Sequence, residues 1–192
     1  MSRYDGVGEK SHERRENQRE WDNRLIEINR KIDEDEFTEK DVPGFMKDFF
    51  RVENTGIYED RNGEGIENPE KTILRGKVEK IKSIIANYYG IKEEEICTGD
   101  VDFEQTELEK VPYRIIFGNA SFKNSLIRDI NNLQIIGGNA IFGKDKLFRN
   151  TKGKSSVRIN QIKNLHNLQF IGGFADVRDS KISDIGKLQV YC

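Results

Sequence analysis

Two cysteines, two histidines and three prolines among 192 residues leave little material for several kinds of site. Cys97 and Cys192 are too few for a disulfide framework, and in a reducing compartment they stay as thiols. His12 and His166 have no cysteine, serine or carboxylate constellation around them that points to nucleophilic catalysis. Two of each at these spacings do not assemble a zinc site. No run approaches the roughly 18 to 20 apolar residues of a membrane span. The opening Met-Ser-Arg-Tyr-Asp-Gly carries no signal-peptide core. These absences lead us to expect a cytoplasmic protein that is not an enzyme and needs no cofactor or metal.

Charge is plentiful but uneven. Charged residues make up 34% of the chain and apolar ones 35%, and the net charge is −2. Residues 1–95 carry 18 Lys and Arg against 24 Asp and Glu, whereas residues 96–192 carry 14 against 10. The two halves therefore present opposite fields to a partner.

The first half reads as helical. Residues 1–12, with Gly6 and Gly8 among polar neighbours, lack apolar periodicity and are expected to form a flexible tail. From Glu13 to Asp33 the residues Trp21, Leu25, Ile28 and Ile32 make one stripe on a charged helix, which packs on its own domain or, alternatively, in a coiled coil. Asp41, Val42 and Pro43 suggest an N-cap and first turn, with Phe45, Met46, Phe49 and Phe50 crowding one face behind them. Residues 53–67 hold Gly56, Gly63 and Gly65 and are expected to form a solvated loop. Asp60, Asn62 and Glu64 there resemble the start of a calcium loop, but the twelfth position is Lys71, where a bidentate Glu is needed. The next helix, 69–89, is capped by Asn68, opened by Pro69 and ended by Gly90. Its face of Ile73, Leu74, Val78, Ile81, Ile84, Ile85 and Tyr88 is expected to cover the first coil of the carboxy-terminal half as an end cap.

That second half is repetitive. A glycine recurs at Gly99, Gly118, Gly138 and Gly173, and after each come two apolar residues in alternation: Val101 and Phe103, Ala120 and Phe122, Ala140 and Phe142, Ala175 and Val177. A hydroxyl residue comes next in three copies, at Thr106, Ser125 and Ser180, and then aliphatic residues every second or third position. The glycines are 19, 20 and 35 residues apart, the last interval being one 20-residue unit plus 15. A unit of this length cannot bury its apolar side alone, so successive units must stack.

This motif resembles the leucine-rich repeats of bacterial and phage proteins, in a variant with paired glycine before the strand and Ser or Thr where other members carry Asn. The resemblance covers residues 96–192 only. It implies an α+β chain in which a helical region, 1–95, precedes a solenoid of about four repeats with a parallel sheet, whose open face recognises a protein. The outward strand positions would be Asp100, Asp102 and Glu104, then Asn119, Ser121 and Lys123, then Asn139 and Ile141, then Phe174, Asp176 and Arg178. Ile141 and Phe174 are apolar among polar neighbours, as contact residues often are.

The third repeat is interrupted at 143–156, where Lys144, Lys146, Arg149, Lys152 and Lys154 surround Phe148 and the one acid is Asp145. Insertions in stacked repeats project as loops and often carry function. Gly138 to Lys144 fits the first seven positions of a phosphate-binding loop, but Asp145 stands where the magnesium-binding hydroxyl belongs, so a nucleotide site is excluded.

The functional expectation is a non-catalytic protein-binding module. In its sharper form it is a phage or mobile-element inhibitor that blocks a bacterial defence nuclease complex of the CRISPR type, an anti-CRISPR. The alternative is a nucleic-acid-binding protein that uses the basic insertion with Lys123, Arg128 and Arg158. Leu188, Val190 and Tyr191 would lie at an uncapped end and allow a homodimer.

Overall fold

The helical stripe and the repeat each find a partner in the other. The computed structural model describes residues 5–54, 58–59, 65–66, 69–104, 106–143 and 161–190, with side chains over 19–50, 74–104, 106–143 and 161–189. Helix α1 runs Asp5–Asp33, α2 Val42–Asn54 and α3 Pro69–Tyr89. Between α2 and α3 lies a small antiparallel pair, β1 at Tyr58–Glu59 and β2 at Gly65–Ile66, where the sequence suggested only a loop. The calcium-like positions Asp60, Asn62, Glu64 and Lys71 lie outside the described side chains.

Helix α1 begins at Asp5, earlier than the flexible tail expected over 1–12 allowed. No proline precedes Pro43, so nothing in the backbone stops the helix from propagating upstream of its apolar stripe. Asp41 directly precedes α2 but also closes the turn before it. Its carboxylate accepts from Thr38 N at 3.0 Å and Thr38 Oγ1 at 2.9 Å, and so closes a 3₁₀ turn at Glu39–Asp41 that leads into α2. Lys31 Nζ, at 2.6 Å from the same carboxylate, ties that turn to α1.

Beyond α3 the described residues form nine two-residue strands. Five form a first parallel sheet: β3 at Ile96–Cys97, β5 at Ile115–Ile116, β7 at Ile135–Ile136, β9 at Phe170–Ile171 and β11 at Gln189–Val190. Four form a second: β4 at Val101–Asp102, β6 at Ala120–Ser121, β8 at Ala140–Ile141 and β10 at Ala175–Asp176. The repeat pattern predicted one sheet, placed after the glycines, and gave no sign of the strands that precede them. Pairing is in register, Ile115 with Ile135 and Ala120 with Ala140, so equivalent residues of successive turns lie side by side. It holds across the interruption, where Ala140 pairs with Ala175.

The strand doublets show why two apolar residues stand together in the first sheet. Ile115 and Ile135 face the helices, while Ile116 and Ile136 face the interior between the two sheets. That interior holds Phe103, Phe122 and Phe142, at most 2% exposed, with ring centroids 5.1 and 4.9 Å apart. These spacings match the roughly 4.8 Å between neighbouring strands, so each of the first three turns contributes one ring to a continuous column, and the fourth carries Val177 in that place, 40% exposed. Ile162, Leu165 and Leu168 fill the third turn as the interrupted pattern required.

The helices lie against the outer side of the first sheet. Trp21, Leu25 and Ile32 of α1, Phe45 and Phe49 of α2, and Leu74, Val78, Ile81 and Ile85 of α3 share one core with Ile96, Ile115, Phe117 and Ile135. The stripe of α1 is therefore consumed within the chain. Phe49 meets Phe117 edge-on at 5.0 Å, and Phe50 meets Phe170 at 3.7 Å. The paired glycines make this approach possible. A Cβ on Gly137 would stand 2.6 Å from the Phe117 carbonyl oxygen and 2.8 Å from Phe49, and one on Gly172 would fall on the Gly137 carbonyl. Helix α3 also reaches the first turn, where Thr98 Oγ1 donates to Glu79 and Arg75 pairs with Asp100 at 3.4 Å. Among the described residues no helix is long and apolar enough to cross a membrane.

Candidate interaction face

With the first sheet under the helices, the second sheet carries the open face. Alternation along each strand sends Ala120 and Ala140 inward and leaves Asp102, Ser121, Ile141 and Asp176 outward, in one row across four turns. A row precedes it at Asp100, Asn119, Asn139 and Phe174, and another lies beyond it at Glu104, Lys123, Gly143 and Arg178.

The preceding row is a hydrogen-bonded ladder. Asp100 Oδ1 accepts from Asn119 N at 2.7 Å, Asn119 Oδ1 from Asn139 N at 2.8 Å, and Asn139 Oδ1 from Phe174 N at 3.0 Å. Each side-chain oxygen satisfies the backbone of the next turn just after its glycine. From sequence, Asn119 and Asn139 are expected as contact residues. The structure gives their oxygens an internal task, which the recurrence of Asp or Asn after the glycine could have signalled. Phe174, where the ladder ends, is 51% exposed, whereas Ile141 is half-buried.

The other two rows are held by side-chain hydrogen bonds and one ion pair. Asp102 accepts from Glu104 N at 2.9 Å, and Asn124 donates to Glu104 at 2.9 Å. Asp176 accepts from Arg178 Nε at 2.9 Å and Arg178 Nη2 at 2.6 Å. The Arg178 guanidinium, with help from its own backbone N–H and from Lys123, draws the Asp176 carboxyl down to about 2. Lys123 therefore shares its field with acids of the same face. Beneath the rows the hydroxyls expected at each turn close the backbone: Thr106 Oγ1 donates to Phe103 O and Ser125 Oγ to Phe122 O, each at 3.0 Å.

Of the sequence-predicted contact residues, the strand positions come together on this face. The basic residues Lys144, Lys146, Arg149, Lys152 and Lys154, with Phe148, lie outside the described residues, as does Arg158. His166 sits on an exposed turn, 2.6 Å from Asp184, whose carboxyl is held below its ordinary value by that contact and by the Gly186 N–H. Cys97 is a half-buried free thiol, pushed up by burial. Among the described residues no group of three His, Cys, Asp or Glu is placed to hold a metal ion. No family model matches the chain, and no curated protein or solved structure matches it.

Proposed function

We propose that this chain is a non-catalytic protein-binding module of leucine-rich-repeat-like architecture, in which the second sheet is the recognition face. One observation carries the reading. Among the described residues the helices bury the outer side of the first sheet and no element covers the second, which lies over a column of Phe103, Phe122 and Phe142. A surface with its backbone locked by ladders loses little conformational entropy on binding, which favours recognition of another folded protein. Ile141 and the exposed Phe174 supply apolar contact between Ser121 and the Asp176–Arg178 pair.

In its sharper form the partner is a bacterial defence nuclease complex of the CRISPR type, and the module acts by occupying its working surface. The small rigid face and the basic residues of 143–156 in the sequence support this form. Affinity capture from a bacterial lysate, run beside an RNA-guided nuclease digest, tests both. Wild-type protein should retain a partner and slow the digest, and Ser121→Arg with Ile141→Glu should do neither. Identical behaviour of the two proteins removes the face from the reading. Self-association through the fourth turn, where Val177 and Ile185 are 40% and 54% exposed, is tested by the concentration dependence of light scattering.

Nucleic-acid binding is the alternative, and Lys123, one of its three expected side chains beyond the insertion, stands among Glu104, Asp176 and Ser121 on a face of mixed sign. A gel shift at two salt concentrations separates the readings, since phosphate contacts weaken steeply with salt.

A further inference from the structure

The stack has a third side, distinct from both sheets. After Thr106, Ser125, Asn160 and Ser180 the chain passes through Glu107 to Lys110, Leu126 to Asp129, Gln161 to Asn164 and Lys181 to Asp184, and these stretches also run side by side. Lys110 bridges to Asp129 and Asn164 to Asp184, and Gln161 N donates to Ile127 O at 3.0 Å. A groove of about 570 Å³ lies between the second and third turns, lined by Leu126, Arg128, Gln161, Lys163 and Asn164. Its volume is that of an ordinary ligand pocket.

The charges around it are unequally used. Asp129 accepts from Asn131 N at 2.7 Å, and Asp184 accepts from Gly186 N at 2.8 Å and faces His166, so the nearby acids are engaged. Lys163 has no ion-pair partner among the described residues. Arg128 approaches Glu109 only to 3.6 Å, with both side chains more than 60% exposed. Lys181 gives its ammonium to Gln161 Oε1 at 2.6 Å and adds a third positive charge at the rim. Asn164 makes no side-chain hydrogen bond among the described residues.

We propose that this groove binds a short acidic peptide segment, with Arg128 and Lys163 holding a carboxylate pair and Leu126 taking an apolar residue beside them. Two features favour a peptide over a nucleic-acid strand. The free carboxamide of Asn164 both donates and accepts, which suits a peptide backbone, whereas a phosphodiester only accepts. Glu107 and Glu109 on the first turn close one end of the cationic strip, so an extended polyanion would meet repulsion there. The site is separate from the second sheet and does not depend on the reading of that face.

The test is fluorescence anisotropy with a labelled dodecapeptide alternating Glu, Leu and Ser, with its Gln-for-Glu counterpart and with a labelled single-stranded oligonucleotide. The acidic peptide should bind saturably, the Gln peptide at least about tenfold more weakly. Arg128→Glu and Lys163→Glu should each weaken the acidic peptide about tenfold, about the loss expected for one charge-assisted contact. Lys163→Gln should do so to a smaller degree, and Lys92→Glu, remote from the groove, should leave binding unchanged. Circular dichroism of each variant checks that the exposed substitutions leave the fold intact. The proposal is overturned if the acidic peptide does not bind, if the groove variants bind it as wild type does, or if the oligonucleotide binds more tightly through the same two residues.

Discussion

The two parallel sheets are built from the same turns, yet one is a floor for helices and the other a bare wall. The difference resides in which residues flank the glycines. Before them stand Ile115–Ile116 and Ile135–Ile136, apolar on both sides, so the strand must be covered twice. After them stand Ala120–Ser121 and Ala140–Ile141, small inside and mostly polar outside, so the strand needs one cover only. A stack with a hydrophobic requirement on one side recruits its own amino-terminal half, and the other side makes no such demand.

Substitutions can break that division. The largest effect is expected at the shared interior. Phe122→Ala should cost about 3–5 kcal/mol by leaving a cavity between two stacked rings, read as a lowered urea midpoint. If stack and helices form one cooperative unit, Phe49→Ala on the helical side should shift the same single transition by a similar amount. Two separate transitions would show that the wall folds without its helices.

Gly172→Ala should cost about 1–3 kcal/mol by pressing on the Gly137 carbonyl and the Phe50 ring, seen as a drop in melting temperature. Gly173→Ala meets the Asn139 side chain, which can turn away only by giving up its bond to Phe174 N, so its cost should be at least the roughly 1 kcal/mol of that bond. Arg24→Ala belongs to the same middle range. Asp48, 3% exposed, accepts from Arg24 Nη2 at 2.9 Å and would be left as a buried charge without its partner, whereas Asp48→Asn removes the charge itself and should cost less.

On the bare side, Asn139→Ala should cost about 1 kcal/mol by orphaning Phe174 N, and it should raise hydrogen exchange at that amide without disturbing the helices. The smallest effect concerns acid. Because the Asp176 carboxyl is held at about 2, its contribution is present above the ordinary carboxylate range and is lost as pH falls through about 2. Asp176→Asn should therefore be slightly less stable than wild type at neutral pH and indistinguishable from it once the acid is protonated, as measured by thermal melts at stepped pH.

Much of this division was written in the sequence, unevenly. Phe103, Phe122 and Phe142 were legible because stacking demands one large apolar residue per turn at a fixed place after the glycine. The stripes of α1 and α3 were legible from their 3.6-residue period. The first sheet was not, because Ile115–Ile116 has no alternation and its meaning depends on helices more than sixty residues away in α2. The ladder role of Asn119 and Asn139 was not legible, since a polar residue on an outward strand position and one lending its oxygen to the next turn look alike in a single sequence. The groove at Arg128 and Lys163 had no signal, because it depends on residues 35 apart being brought into neighbouring turns.

That same jump has a practical side. Ala120 pairs with Ala140, and Ala140 with Ala175, in the same register although the second step spans fifteen more residues. Closing a longer excursion costs only about 0.6 kcal/mol per doubling of its length. The stretch that follows Gly143 in the sequence should thus accept a grafted reporter or epitope while the turns on either side keep their pairing.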